Sequence, residues 1–231
     1  MESILEFQNV TYYYESGDKK VSILEEANYI FEKGKLYTIV GPSGSGKTTT
    51  LSIAGALEKQ KDGRVLFQDQ DLRDIGYTTY RNSNIGIVFQ SYNLLNYLTP
   101  FQNIMVAMEI TKNKIQNKKQ QAEDLLLRMG LSKDQIHRNI TKLSGGEQQR
   151  VAIARAIATN ANIILADEPT GNLDEQTSKG IINIFKELAN KDGKCVIVVT
   201  HSLEFAKMAD VIIKLEHRKL NSVVQEKEDT V

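Results

Sequence analysis

The stretch Leu36-Tyr37-Thr38-Ile39-Val40-Gly41-Pro42-Ser43-Gly44-Ser45-Gly46-Lys47-Thr48 runs from an apolar strand pattern straight into a glycine-rich turn ending in lysine and threonine. Residues 41–48 match G-x-x-x-x-G-K-[ST]. Gly41, Gly44 and Gly46, with Ser43 and Ser45 between them, let the backbone turn so that consecutive N–H groups point inward at phosphate oxygens. Lys47 then supplies a point charge for the β and γ phosphates, and the Thr48 hydroxyl can ligate magnesium. The helix that opens with Thr48 and Thr49 turns its positive end to the same anion. A loop of this kind between strand and helix predicts that the chain binds ATP with magnesium and is built to hydrolyse it.

Short β-branched runs alternate with helical patterns on the C-terminal side of this loop. The runs at 36–40, 85–89, 163–166, 195–200 and 211–215 are nearly all apolar. Continuous apolarity predicts strands covered on both faces, as in a parallel sheet. Ala122, Leu125, Leu126 and Met129 recur at helical spacing within 121–129, and Gly130 sits at the natural stop. Ile181, Ile184, Phe185 and Leu188 repeat that spacing within 177–189. The order predicts an α/β fold.

Two regions break the alternation. Residues 4–40 read as strands with turn signals at Ser16-Gly17-Asp18 and Glu32-Lys33-Gly34, which predicts an N-terminal antiparallel β layer. Residues from about 91 to 158 are helical with no strong strand, which predicts an inserted helical subdomain. Lys112, Lys114, Lys118 and Lys119 form a basic cluster there. It reads as a solvated helix face, with contact to anionic lipid as the sharper alternative. There is no internal repeat and no low-complexity segment.

The bulk numbers narrow the function classes. A chain of 231 residues, 41% apolar and 25% charged, is ordinary globular material with room for one large domain or a core plus a subdomain. Lys plus Arg and Asp plus Glu are 29 each, so the electrostatic footprint of a protein that lives on nucleic acid is missing. The single cysteine, Cys195, sits inside an apolar run. A disulfide within the chain is excluded, a reducing setting fits, and the thiol reads as a small core residue. No segment approaches the roughly 18 to 20 consecutive apolar residues that span a bilayer. The N-terminal residues 1–6 lack the regions of a signal peptide. Any work at a membrane is expected to run through a partner.

Three further motifs carry chemistry. Ile163-Ile164-Leu165-Ala166-Asp167-Glu168 is an apolar strand ending in two carboxylates. Asp167 suits a magnesium contact through water. Glu168, pointing elsewhere, is placed to polarise an attacking water as general base. His201 follows the run 195–200, at the same sheet edge if the strands are parallel, where ligands of open α/β sheets bind. It is expected to hydrogen-bond a γ phosphate. Leu143-Ser144-Gly145-Gly146-Glu147-Gln148-Gln149-Arg150 opens a helical run, with Ser144 as N-cap and two glycines exposing backbone N–H groups to an anion. A second phosphate-seeking helix end in one small domain suggests service to a nucleotide held by another copy.

Together, GPSGSGKT, LSGGEQQR, ILADE, GNLD and the histidine after the last core strand resemble the nucleotide-binding domain of ABC transporters. The resemblance runs from residue 7 to about 215, and no key catalytic position departs from the family pattern. It implies a phosphate-loop NTPase core of RecA type with a parallel sheet. The chain would be one ABC ATPase domain over 1–231, with the core and β subdomain at about 1–90 and 159–231 and the helical subdomain at about 91–158. It implies that Gln90 contacts magnesium and senses the membrane partner. It implies that Tyr14 stacks on adenine, its neighbours Tyr12 and Tyr13 being the alternatives of register, and that Asp174 couples two sites across a dimer.

Asn9-Val10-Thr11, the GNLD form and the stretch 87–95 are similar to the MacB and LolD subfamily. The implied partners are a second copy in the ATP-bound state and a separate transmembrane permease, with or without a membrane-fusion adaptor. The implied place is the cytoplasmic face of a bacterial membrane, held peripherally. MacB-type efflux of drugs or peptides is the leading expectation; LolD-like lipoprotein release and FtsE-like force transmission are its alternatives. Soluble relatives acting on ribosomes or DNA carry paired ATPase units or a long coiled coil, and neither pattern is present. The tail from about 219 to 231 leaves no room for the regulatory domain of sugar importers.

Overall fold

The computed structural model describes residues 2–17, 19–111, 114 and 116–223, the side chain of residue 16 apart. Along it run β1 (Ser3–Ser16), β2 (Lys19–Glu32), β3 (Leu36–Val40), α1 (Lys47–Ala54), β4 (Asp62–Phe67), β5 (Gln70–Asp71), α2 (Leu72–Ile75), α3 (Tyr77–Asn84) and β6 (Ile85–Val88). Then come α4 (Pro100–Ile110), α5 (Lys118–Arg128), α6 (Lys133–His137), α7 (Gly145–Ile157), β7 (Ile163–Asp167), α8 (Glu175–Asn190), β8 (Cys195–Val199), α9 (Leu203–Met208), β9 (Val211–Glu216) and β10 (Lys219–Val223). The fold is α/β, with a largely parallel sheet, an antiparallel N-terminal sheet and a helical stretch between β6 and β7.

The larger sheet has the order β10-β9-β3-β8-β7-β6. β9, β3, β8, β7 and β6 pair in parallel, and only β10 turns back. Strand side chains alternate between faces, so one apolar run feeds two cores. Leu36, Val88, Ile164, Ala166, Val196 and Val198 pack toward α7 and α8. Tyr37, Ile39, Ile85, Leu165, Ile197 and Val199 pack on the other side, toward α1 and the antiparallel sheet. This two-sided burial is why these strands read as continuous apolar runs.

The antiparallel sheet, ordered β2-β1-β4-β5, corrects the expectation for residues 4–40. β3 leaves that layer for the parallel sheet, because both of its faces are buried. β4 and β5, which no sequence signal marked, complete the layer. Asp18 of the predicted turn and Lys112 of the basic cluster lie outside the described residues. Lys118 pairs with Glu109 at 2.8 Å, which offsets part of that cluster's charge.

Parallel pairing brings four strand ends to one edge. Val40 leads into the glycine loop, Val88 toward Gln90, β7 into Glu168, and Val199 toward His201. Residues separated by up to 160 positions in sequence therefore meet, because every one of these strands ends on the same side.

Candidate active site

The glycine loop wraps the start of α1. Gly44 and Gly46 have φ of 75° and 102°, in the left-handed region open to glycine. A Cβ on Gly46 would stand 2.2 Å from Ile23 Cγ2, so the loop is also pressed against β2. Lys47 is buried, and its Nζ donates to the carbonyls of Gly41 and Pro42, each at 2.9 Å. These carbonyls hold the ammonium at the mouth of the loop. Ser45 Oγ is buried without a hydrogen-bond partner beside Gly41.

Carboxylates face this loop from β7. Thr48 Oγ1 donates to Asp167 Oδ1 at 3.3 Å. Burial pushes the Asp167 carboxyl above the usual carboxylate range, against the Thr48 bond and the Lys47 charge. A cation there would relieve that desolvation. Among the described residues, no group of three or more His, Cys, Asp or Glu side chains converges as a metal cage. The oxygen donors present, Thr48 and Asp167, are of the kind magnesium takes beside water and phosphate oxygens.

Glu168 is held unusually. Its φ is 45°, a left-handed value that costs a side-chain-bearing residue strain. Its N–H donates to Val199 O at 2.9 Å, and its Oε2 accepts from the His201 backbone N–H at 3.2 Å. Oε1 is buried and accepts no hydrogen bond, and His201 Nε2 stands 3.5 Å from it. A carboxylate oxygen with free lone pairs in a strained, partly desolvated position is a candidate proton acceptor.

A cleft of about 640 Å³ is lined by Tyr14, Ile23, Ser43, Gly44, Gly46, Lys47, Thr48, Thr49, Gln90, Asp167, Glu168, Gly171, Val199 and His201. Its size and mixed lining suit a nucleotide. Gln90 Nε2 lies 3.2 Å from where a Cβ on Gly171 would stand, at the floor of the cleft. The three adjacent tyrosines separate cleanly. Tyr12 is buried and donates to Glu58 at 3.0 Å, and the Tyr13 ring lies under Lys20. Tyr14 alone of the three enters the cleft, with its hydroxyl 3.1 Å from Thr49 Oγ1 and its ring edge-on to Tyr12. Ile23, Gly171 and Val199 were missed from sequence. Ile23 comes from β2 by antiparallel pairing of Tyr12 with Leu24, which no local motif signals.

Six predicted positions are not part of the cleft lining, Ser45 of the glycine loop among them. Gly41 contributes a backbone carbonyl to Lys47 from below. Ser144, Gly145, Gly146 and Asp174 lie apart from the cleft, together. Ser144 caps α7 in a capping box: its Oγ accepts from Glu147 N–H at 3.3 Å, and Glu147 Oε2 accepts from Ser144 N–H at 2.7 Å. The Ser144 hydroxyl hydrogen is therefore still available to donate. A Cβ on Gly146 would stand 2.5 Å from Thr177 Cγ2, so α7 begins against the start of α8.

Asp174 caps α8. Thr177 Oγ1 and N–H donate to its carboxylate at 2.6 and 2.9 Å and hold it below the usual range. A lowered carboxylate contributes stability that is present above the ordinary carboxylate pKa and lost as pH falls through its own lower value. Asp174→Ala should therefore melt below the parent chain at neutral pH, with the gap closing in buffers under about pH 4. Thermal melts across pH check this; a gap of constant size would contradict it.

A family model described as ABC transporter matches residues 24–171. The uncharacterised ABC transporter ATP-binding protein YclH of Bacillus subtilis is 49% identical over 92% of this chain and 93% of its own. The lipoprotein-releasing system ATP-binding protein LolD of Rickettsia bellii is 37% identical over 94% of this chain and 97% of its own. The macrolide export ATP-binding/permease protein MacB of Bartonella henselae is 36% identical over 93% of this chain but 33% of its own length. Among solved structures, a dimeric post-hydrolysis state of the cassette MJ0796 of Methanocaldococcus jannaschii, bound to ADP and phosphate, matches with a TM-score of 0.85 and 35% identity over 95% of this chain and 98% of that one. The chain belongs to the ABC transporter family, as an ATPase of the MacB and LolD group.

Proposed function

We propose that this chain is the ATPase subunit of a transporter, that it drives a separate membrane permease, and that it hydrolyses ATP between two copies of itself. The observation that carries this is the division of the site. The cleft gathers Lys47, Thr48, Gln90, Asp167, Glu168 and His201, while Ser144, Gly145 and Gly146 lie outside it on the same chain. A head-to-tail pair closes each cleft with the helix end of the other copy. That the MJ0796 cassette is dimeric supports a pair of copies.

Each residue then has a task. Tyr14 stacks on the base, the loop N–H groups and Lys47 hold the phosphates, and His201 donates to the γ phosphate. Thr48 and Gln90, with Asp167 through water, would hold magnesium, whose charge offsets that of the phosphates. Glu168 takes a proton from water as the water oxygen bonds to the γ phosphorus and the bridging P–O bond breaks, leaving ADP. Asp174, beside the partner's cleft, couples the two sites. Segment 91–102, with its exposed Tyr97, passes closure to the permease. No helix among the described residues is long and apolar enough to cross a membrane. Placement at the cytoplasmic face therefore follows from the permease, with or without an adaptor.

MacB-type efflux of drugs or peptides is our reading of the work done. LolD-type lipoprotein release is the second, favoured by the match over nearly all of LolD, itself a separate ATP-binding protein. Ser144→Asp tests the shared site. Aspartate caps a helix as well as serine does, but it replaces a donor with an anion facing phosphate. Melting temperature and nucleotide binding by the single chain should hold, while hydrolysis falls about a hundredfold or more. Hydrolysis at the parent rate would remove Ser144 from the site.

A further inference from the structure

Between Gln90 and α4 the chain makes an unusual turn. Tyr92 and Asn93 have φ of 60° and 50°, two successive left-handed residues that both carry side chains. The other such pairs among the described residues, Gln68-Asp69 and His217-Arg218, are two-residue hairpin turns held by their flanking strands; no strand pair flanks this one, so something else must hold it. Arg155, in the third turn of α7, supplies the hold. Its Nη2 donates to Tyr92 O at 3.0 Å and its Nη1 to Asn93 O. Arg155 pairs with no carboxylate among the described residues, and burial pulls its guanidinium pKa down. A half-buried cation whose partners are two carbonyls of one strained turn is a costly arrangement, which the planar fork of arginine suits.

The same turn touches α7 a second time. A Cβ on Gly145 would stand 3.0 Å from the Tyr92 hydroxyl and 3.8 Å from Leu173 Cδ2. The turn after Gln90 is thus gripped near both ends of one 13-residue helix. That helix begins at Ser144–Gly146, the segment offered to the second copy, and Gln90 at the head of the turn lines the cleft.

We infer that Arg155 is a positioning residue, which holds the Tyr92 and Asn93 carbonyls so that the loop presenting Gln90 and the helix presenting Ser144–Gly146 move as one body. This rests on the paired-copy reading above and adds the part that links the two halves. A contact of Gln90 in one cleft would thereby bias the helix end that completes the other. Arg155 touches neither nucleotide nor reacting atoms.

The test uses Arg155→Lys and Arg155→Met in the full chain, with Glu168→Gln as a second background. Lysine keeps the charge but reaches one carbonyl rather than both. ADP binding to the single chain should stay within about twofold, because the cleft is intact, while kcat falls about tenfold for lysine and further for methionine. Amide hydrogen exchange should rise in residues 91–95. Unchanged kcat with faster exchange would overturn the inference, as would ADP affinity and melting temperature falling in step with kcat, or failure of both variants to fold. The two readings fail separately. If Glu168→Gln forms no ATP-dependent pair, the paired site is wrong; if it pairs, and does so equally well with Arg155→Lys added, only the role of Arg155 is wrong.

Discussion

Glu168→Gln should slow ATP hydrolysis by about a thousandfold while leaving ATP binding intact. Glutamine keeps the size of the side chain and can still accept the His201 N–H that Oε2 accepts now. What it loses is the ability to take a proton at Oε1, the one oxygen of this carboxylate that no hydrogen bond reaches. The strained backbone at φ 45° and the bond from its N–H to Val199 O keep the side chain at the strand end in either form. Steady-state phosphate release and binding of ATP by the same preparation measure both quantities. Hydrolysis within a few-fold of the parent would take the general-base role from Glu168.

Lys47→Ala should weaken ATP binding about a hundredfold or more, because one charged donor serves two phosphates. The effect reaches the loop as well. With Nζ gone, the carbonyls of Gly41 and Pro42 lose their donor inside a turn already holding Gly44 and Gly46 in left-handed geometry. Binding of ADP should suffer less than binding of ATP, since ADP lacks the γ phosphate that the lysine also contacts. Equal losses for the two nucleotides would place the role of Lys47 in loop stability alone. Calorimetric titration with each nucleotide separates the cases.

Much of the cleft was legible because its chemistry is local. The glycine loop, the acidic end of β7 and His201 each announce themselves within a few residues, and parallel pairing of apolar runs predicts a common edge. What was hidden depends on pairing at a distance. β4 is buried on one face only and the two-residue β5 has no buried position, so neither gave a continuous apolar run. Tyr14 was one of three adjacent candidates because β1 and β2 shift register between Val10 and Tyr12 and again before Tyr13, which breaks simple alternation. Ile23 reaches the cleft through that same pairing. No sequence signal singled out Arg155, and only the fold sets it under the carbonyls of Tyr92 and Asn93.

Ser144–Gly146 was singled out as an anion site, and its separation from the cleft of its own chain turns that into a statement about assembly. The most direct measurement is the mass of the Glu168→Gln chain in solution, by sedimentation velocity, with ATP, with ADP and with neither. A site shared between copies predicts twice the chain mass with ATP, a single chain with ADP or alone, and a single chain with ATP once Ser144→Asp is added. A single chain at saturating ATP, with nucleotide bound, would contradict it.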